Sequence, residues 1–220
     1  MERQNYKTIK LSRLQICSFL IVLFHAVGLT GFLIPELEGL FIKLVPFHLL
    51  LMLSLLILTA ADNSPDLKIF ALVIYSLGFL IELIGVNTGL VFGGYTYGKA
   101  LGIKLWATPL MIGVNWMILV YSAGVFLEQF KLKSSVLFAI LGALILTAID
   151  FLIEPVAVRF DYWSWNEGII PVQNYIGWYL FSFLLFMLFR KMNFKKENKA
   201  AILLLFVQAL FFLILNITAI

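Results

Sequence analysis

Charge is scarce in this sequence. Only 13% of its 220 residues are Asp, Glu, Lys or Arg, where a soluble domain carries about 25%. Hydrophobic residues make up 62% and the mean hydropathy is +1.02. Such a chain cannot cover its apolar surface in water, so the bilayer has to be its solvent. Cysteine is nearly absent. Cys17 stands alone in an apolar segment, which excludes an internal disulfide. The net charge of +4 comes from short basic flanks between apolar runs, with no basic stripe suited to nucleic acid, which is excluded as a partner. Histidine occurs twice, at His25 and His48, on separate runs and without the HxxxH or HxxHH clusters of membrane di-iron oxygenases, so no metal is expected. The last apolar run has no internal Lys for a Schiff base, which argues against a retinal protein. No Ser-His-Asp grouping occurs. Gly93 and Gly94 lack the strand-turn-helix setting of a phosphate loop.

What is present is apolar sequence in long runs, at residues 13–34, 45–61, 68–86, 107–127, 134–153, 173–190 and 200–220. Most approach the roughly 20 residues that a crossing needs. Backbone polar groups find no partner in hydrocarbon, so these runs are predicted to be helices. The expected fold is an all-α integral membrane protein, one polytopic domain over residues 1–220 with about seven transmembrane helices. The second run is short. The first is too long for a signal h-region and has no small-residue cleavage site after it, so it reads as a retained span.

Cationic residues set the orientation. With a cytoplasmic N-terminus, the inner side receives Arg3, Lys7, Lys10, Arg13, Lys68, Lys131, Lys133, Arg190, Lys191, Lys195, Lys196 and Lys199. The outer side receives Lys43, Lys99, Lys104 and Arg159. Twelve against four supports seven spans, an outward C-terminus and a multi-pass protein of the cell membrane. The two longest connections, 87–106 and 154–172, then lie outside, and both are rich in aromatic and amide residues. Trp163 and Trp165 read equally well as an interfacial aromatic belt.

Ionisable groups inside the membrane cost a few kcal/mol each and need a reason. Glu82 stands near the outer end of the third run. Asp150 and Glu154 end the fifth, and their i, i+4 spacing puts both on one helix face. Pro155 disfavours helical geometry at Glu154, so the helix is expected to end there with the Glu154 carboxylate at the mouth. His25, His48 near the outer start of the second run, Asn115, Gln173 and Asn174 occupy related depths. No inner half of a helix has a comparable set, which points to one pocket in the outward half. Each member also has a plain reading: a membrane His or Asn often only bridges helices. The Asp150/Glu154 pair is harder to dismiss. Two nearby carboxyls in an apolar setting do not both ionise readily, so one is expected to keep its proton, and a retained proton makes a general acid.

The blocks Ile81-Glu-Leu-Ile-Gly-Val-Asn-Thr-Gly89, Phe92-Gly-Gly-Tyr-Thr-Tyr-Gly98, Pro109-Leu-Met-Ile-Gly-Val-Asn-Trp116, Asp150-Phe-Leu-Ile-Glu-Pro155 and Trp163-Ser-Trp165 resemble carotenoid-biosynthesis membrane proteins of the CruF type, the carotenoid 1,2-hydratases. The likeness covers residues 75–185; the flanking segments match in hydropathy alone. It implies addition of water to the terminal 1,2 double bond of an acyclic ψ end group, as in γ-carotene or lycopene, with no cofactor required. The resemblance makes Asp150 or Glu154 the expected proton donor and Glu82 the next candidate. Asn87, Asn115, Gln173 and Asn174 are candidates for orienting the water, with His25 and His48 on depth alone. Tyr95, Tyr97, Trp116, Trp163 and Trp165 are candidates for lining the end-group pocket. Expected partners are the carotenoid, membrane lipid and other enzymes of the pathway, a glycosyltransferase among them. Two readings stay open: a cyclase that begins with the same protonation, and a non-catalytic carotenoid-binding protein or proton-coupled transporter.

Overall fold

A computed structural model describes residues 11–218; Arg3, Lys7 and Lys10 of the charge count lie outside the described residues. Its helices are α1 Arg13–Leu33, α2 Pro35–Thr59, α3 Pro65–Thr88, α4 Leu110–Glu128, α5 Ser135–Arg159, α6 Val172–Lys191 and α7 Lys199–Thr218. Short strands β1 Tyr95–Tyr97, β2 Lys104–Leu105, β3 Thr108–Pro109 and β4 Trp163–Trp165 lie in the connections. All seven helices are long and apolar enough to cross a membrane, and the protein is an all-α, multi-pass membrane bundle.

The helix starts follow from capping chemistry. Ser12 and Gln15 form a reciprocal capping box at α1. Ser64 and Ser134 accept from the Leu67 and Leu137 amides to start α3 and α5. Along most helices apolar residues run round the whole circumference, because the lipid is as apolar as the bundle interior. The centre falls to α4. Of its most apolar window 78% is buried, against 28% for each of α1, α2 and α3, and it packs against α2, α3, α5, α6 and α7. Gly78 of α3 permits one of these approaches, since a Cβ there would stand 2.5 Å from Cβ of Trp116.

Two expectations are corrected. The second span does not begin at 45: α2 runs from Pro35, separated from α1 by Ile34 alone. Glu36 and Glu38, which break the apolar run, sit in its first turn, where the helix dipole favours acids and Pro at the first position needs no N–H partner. His48 is therefore near the middle of α2 and not at its start. The fifth span does not end at Glu154 either. Pro155 lies inside α5, which continues to Arg159. The proline removes one backbone donor, as its ring must, yet Ile153, Glu154, Val156 and Ala157 remain buried.

The connections after α3 and α5 zip together. Strands β1 and β4 pair antiparallel with Tyr95 opposite Trp165, Thr96 opposite Ser164 and Tyr97 opposite Trp163. Side chains alternate along a strand, so the four aromatic rings turn to the bundle while Thr96 and Ser164 face out and meet at 3.1 Å. Gly98 lets the ribbon close: a Cβ there would lie 2.0 Å from the Asp161 carbonyl oxygen. Strands β2 and β3 form a separate hairpin whose turn residues Trp106 and Ala107 both have positive φ, the geometry of a primed turn. Its second half takes up residues 107–109, assigned by hydropathy to the fourth span, so α4 starts at Leu110.

Candidate functional site

The aromatic ribbon roofs the three buried acids at the bundle end where α3 and α5 finish and α4 and α6 begin. Glu82 of α3 is 4% exposed. Its Oε2 accepts from the Tyr95 and Tyr97 hydroxyls, each at 2.7 Å, and its Oε1 accepts from the Trp116 indole N–H at 2.9 Å. Glu154 of α5 is 1% exposed. Its Oε2 accepts from the indoles of Trp163 at 3.0 Å and Trp165 at 2.8 Å. Adjacent positions on each strand face therefore serve one acid: the tyrosines hold Glu82, the tryptophans Glu154. The Tyr95–Trp165 and Tyr97–Trp163 ring pairs, at 5.2 and 6.0 Å, join the two halves.

Asn174 of α6 ties the Asp150/Glu154 pair. Its amide nitrogen donates to Asp150 Oδ2 at 2.8 Å and to Glu154 Oε1 at 3.0 Å. Asp150 is wholly buried, and its Oδ1 has no hydrogen-bond partner among the described residues. Among the described residues, ion pairs join Arg159 to Glu38, Arg190 to Glu128 and Lys195 to Glu197; none of these involves Glu82, Asp150 or Glu154. Burial first, and the Glu82 carboxylate second, raises Tyr95 and Tyr97 well above the usual phenol range, so both remain O–H donors.

Two cavities flank the ribbon. A small one of about 20 Å³ lies between Glu82, Glu154 and Asn174, under the ribbon aromatics. It is the size of a single water, with several polar partners in its wall. A larger one of about 280 Å³ is bounded by α1, α2, α4 and α7 and lined by His25, His48, Asn115 and Gln208 among apolar walls. Ile112 and Trp163 border both.

Nine of the fourteen residues singled out in the sequence thus meet in two hydrogen-bonded clusters, Glu82 with Tyr95, Tyr97 and Trp116, and Asp150 and Glu154 with Asn174, Trp163 and Trp165, joined through the ring pairs of the ribbon. The Glu154 carboxylate lies within the bundle instead of at its mouth. Trp163 and Trp165 point inward and are 8% exposed, which separates them from a lipid-facing belt. Asn87 and Gln173 do not reach the site. Asn87 is exposed and donates to the Leu83 and Trp106 carbonyls, while Gln173 donates to those of Gly89 and Leu90. Both brace loops. His25, His48 and Asn115 belong to the larger cavity. Among the described residues no group of three or more His, Cys, Asp or Glu is placed to hold a metal.

Trp178 and Gln208 escape the sequence reading. Trp178 stacks on Trp116, with centroids 4.1 Å apart, and lines the small cavity. Its spacing of four from Asn174 was the available signal. Gln208 was marked by its isolation as an amide in an apolar stretch.

Fold and site together define a class: multi-pass membrane proteins that gather carboxyl groups, with no ion pair to them among the described residues, beneath aromatic donors at one end of the bundle. The chain belongs to the family described as carotenoid biosynthesis protein, whose profile matches residues 44–220. It is also similar to a bisanhydrobacterioruberin hydratase of Haloarcula japonica, 34% identical over 126 residues. That match takes in 54% of this chain and 42% of the relative, so less than half of the relative's length is spanned. No solved structure matches the chain.

Proposed function

We propose that this protein is a carotenoid hydratase that adds water across the terminal 1,2 double bond of an acyclic ψ end group, as in γ-carotene or lycopene, giving a tertiary alcohol. The observation that carries this reading is the Asn174 amide held between Asp150 and Glu154 at the edge of a water-sized cavity. Two carboxyl groups in an apolar interior keep at least one proton between them, since charging both is too costly. Glu154 is the member that lines the cavity, so delivery of the proton to the alkene falls to it. Asp150 stands behind Asn174 and acts through it.

The chemistry balances without an added reagent. The carboxyl O–H gives its proton to C2 of the terminal double bond, and the tertiary cation forms at C1. Faces of the surrounding rings stabilise such a cation by roughly 0.5–2 kcal/mol each when desolvated. The water oxygen bonds to C1, and the proton it loses returns to the carboxylate. Glu82, which lines the same cavity and is held by three donors, orients that water in this reading. A polar pocket sized for water favours capture by water over ring closure. A bilayer position, in the cell membrane on the charge asymmetry, brings the enzyme to a substrate that itself dissolves in lipid.

The test is coexpression with a γ-carotene or lycopene pathway, followed by pigment chromatography and mass spectrometry. A product heavier by one water supports hydration; an isomer of unchanged mass means cyclisation, and unaltered pigment means a carrier. Glu154→Gln is expected to reduce product by about 10²–10⁴-fold, the usual range for a lost general acid. Full hydroxylated product from both Glu154→Gln and Asp150→Asn would sink the acid assignment.

A further inference from the structure

The larger cavity has chemistry that the acid cluster does not use. At about 280 Å³ it falls just below the roughly 300–1,000 Å³ of pockets that enclose a whole drug-sized ligand. It suits one end of a long chain. Its wall includes Phe24 and Val27 of α1 and Leu44 and Phe47 of α2, which are 40%, 46%, 40% and 67% exposed. These rim residues are apolar and lie on membrane-spanning helices, so the opening faces hydrocarbon sideways.

The interior is apolar apart from a few groups. His25 Nδ1 donates to the Ile21 carbonyl at 2.8 Å, leaving Nε2 as an acceptor in the neutral ring. Its ring meets that of His48 edge-on, with centroids 4.7 Å apart. Gln208 is 6% exposed, and its amide oxygen is buried with no hydrogen-bond partner among the described residues. A buried carbonyl oxygen without a donor is costly to leave that way, and hydrocarbon cannot supply one. A hydroxyl can.

We infer, building on the hydration reading, that this cavity seats the end of an acyclic isoprenoid chain and that the Gln208 amide, turning its side chain to do so, hydrogen-bonds a hydroxyl on that end. The oxygen that hydration introduces is then recognised within the membrane. Gln208 is the specificity-determining residue that separates a hydroxylated end from a plain one. Trp163 and Ile112, which line both cavities, stand between this seat and the carboxyl groups.

The test is equilibrium binding to the purified full chain in detergent. The probes are a radiolabelled acyclic tertiary alcohol of two isoprene units and the alkene formed from it by loss of water. The wild type is expected to bind the alcohol about tenfold more tightly, the lower part of the range for an unmade buried hydrogen bond. Gln208→Leu is expected to bind both probes alike, at the wild-type alkene affinity and with unchanged or higher Tm, since it removes an unpartnered polar group. Gly28→Leu extends a side chain from a position lining the cavity, where a Cβ would meet Phe211 at an ordinary 3.6 Å, and is expected to bind neither. Equal binding of the two probes by the wild type, or an alcohol preference that survives Gln208→Leu, would overturn the inference. These outcomes are independent of turnover. A preference for the alcohol with no water added to pigment would remove the hydratase reading and leave the cavity assignment standing.

Discussion

Asn174 donates to two carboxyl groups at once, so its removal strands Asp150 and the Oε1 of Glu154, whose Oε2 keeps its two indole donors. Asn174→Leu is expected to lose hydration activity and to lower stability by about 1–3 kcal/mol for each group left unpartnered. A fall in Tm measured in detergent, beside the pigment assay, checks both effects. At this scale the sequence was informative about acids. Glu82, Asp150 and Glu154 stand out because an ionisable side chain in an apolar run costs free energy that something must offset. It was uninformative about amides. Asn87 and Gln173 flank helix ends just as Asn174 does, yet they turn outward to brace backbone carbonyls. An amide satisfies either environment, so residue type does not reveal the direction it faces. Trp178 was passed over for a similar reason, since an indole fits an interface and a stacked core equally well.

The β1–β4 ribbon couples two connections that lie 65 or more residues apart in the chain, and its register is directly testable. Thr96→Cys with Ser164→Cys, in a Cys17→Ser background, is expected to form a disulfide under mild oxidation, because the two side chains oppose each other across the strands. A mobility shift on a non-reducing gel reports it; failure to cross-link would contradict the pairing. At the other end of the bundle, the Asp62 carboxylate accepts from the Lys195 amide at 2.8 Å and from Ser64, tying the α2–α3 connection to the one between α6 and α7. The Lys195 amide leads in holding Asp62 below the usual carboxylate range. A depressed folded value means the stabilisation is present above about pH 4, the unfolded value, and is lost as pH falls through the folded one. Asp62→Asn is therefore expected to lower Tm at neutral pH, with the gap to wild type closing in acid. Neither element was readable beforehand. Tyr-Thr-Tyr and Trp-Ser-Trp each alternate as strands do, but three residues are too few to distinguish a strand from a loop, and the partner is remote. Pro155 misled for a related reason: packing around α5 outweighed its local cost.

For the whole molecule, the placement of Lys and Arg predicts a cytoplasmic N-terminus. In the same Cys17→Ser background, Glu167→Cys is expected to react with an impermeant maleimide on intact cells. Lys133→Cys is expected to react after permeabilisation alone. The reverse pattern would invert the orientation and with it the side on which the site lies. Both positions are exposed, so labelling reports sidedness and not burial.

The seven helices and the presence of buried acids were settled by the sequence itself, because the cost of an unsatisfied backbone or a naked charge in hydrocarbon is large and local. Which side chains meet was decided by the tertiary structure. The pairing of Glu82 with Tyr95, Tyr97 and Trp116, the seating of Glu154 under Trp163 and Trp165, and the separate cavity around His25 and Gln208 all depend on how remote segments approach. Helix packing in lipid is guided by close fits such as Gly78 against Trp116 and by a few polar bonds, and no single segment carries that information.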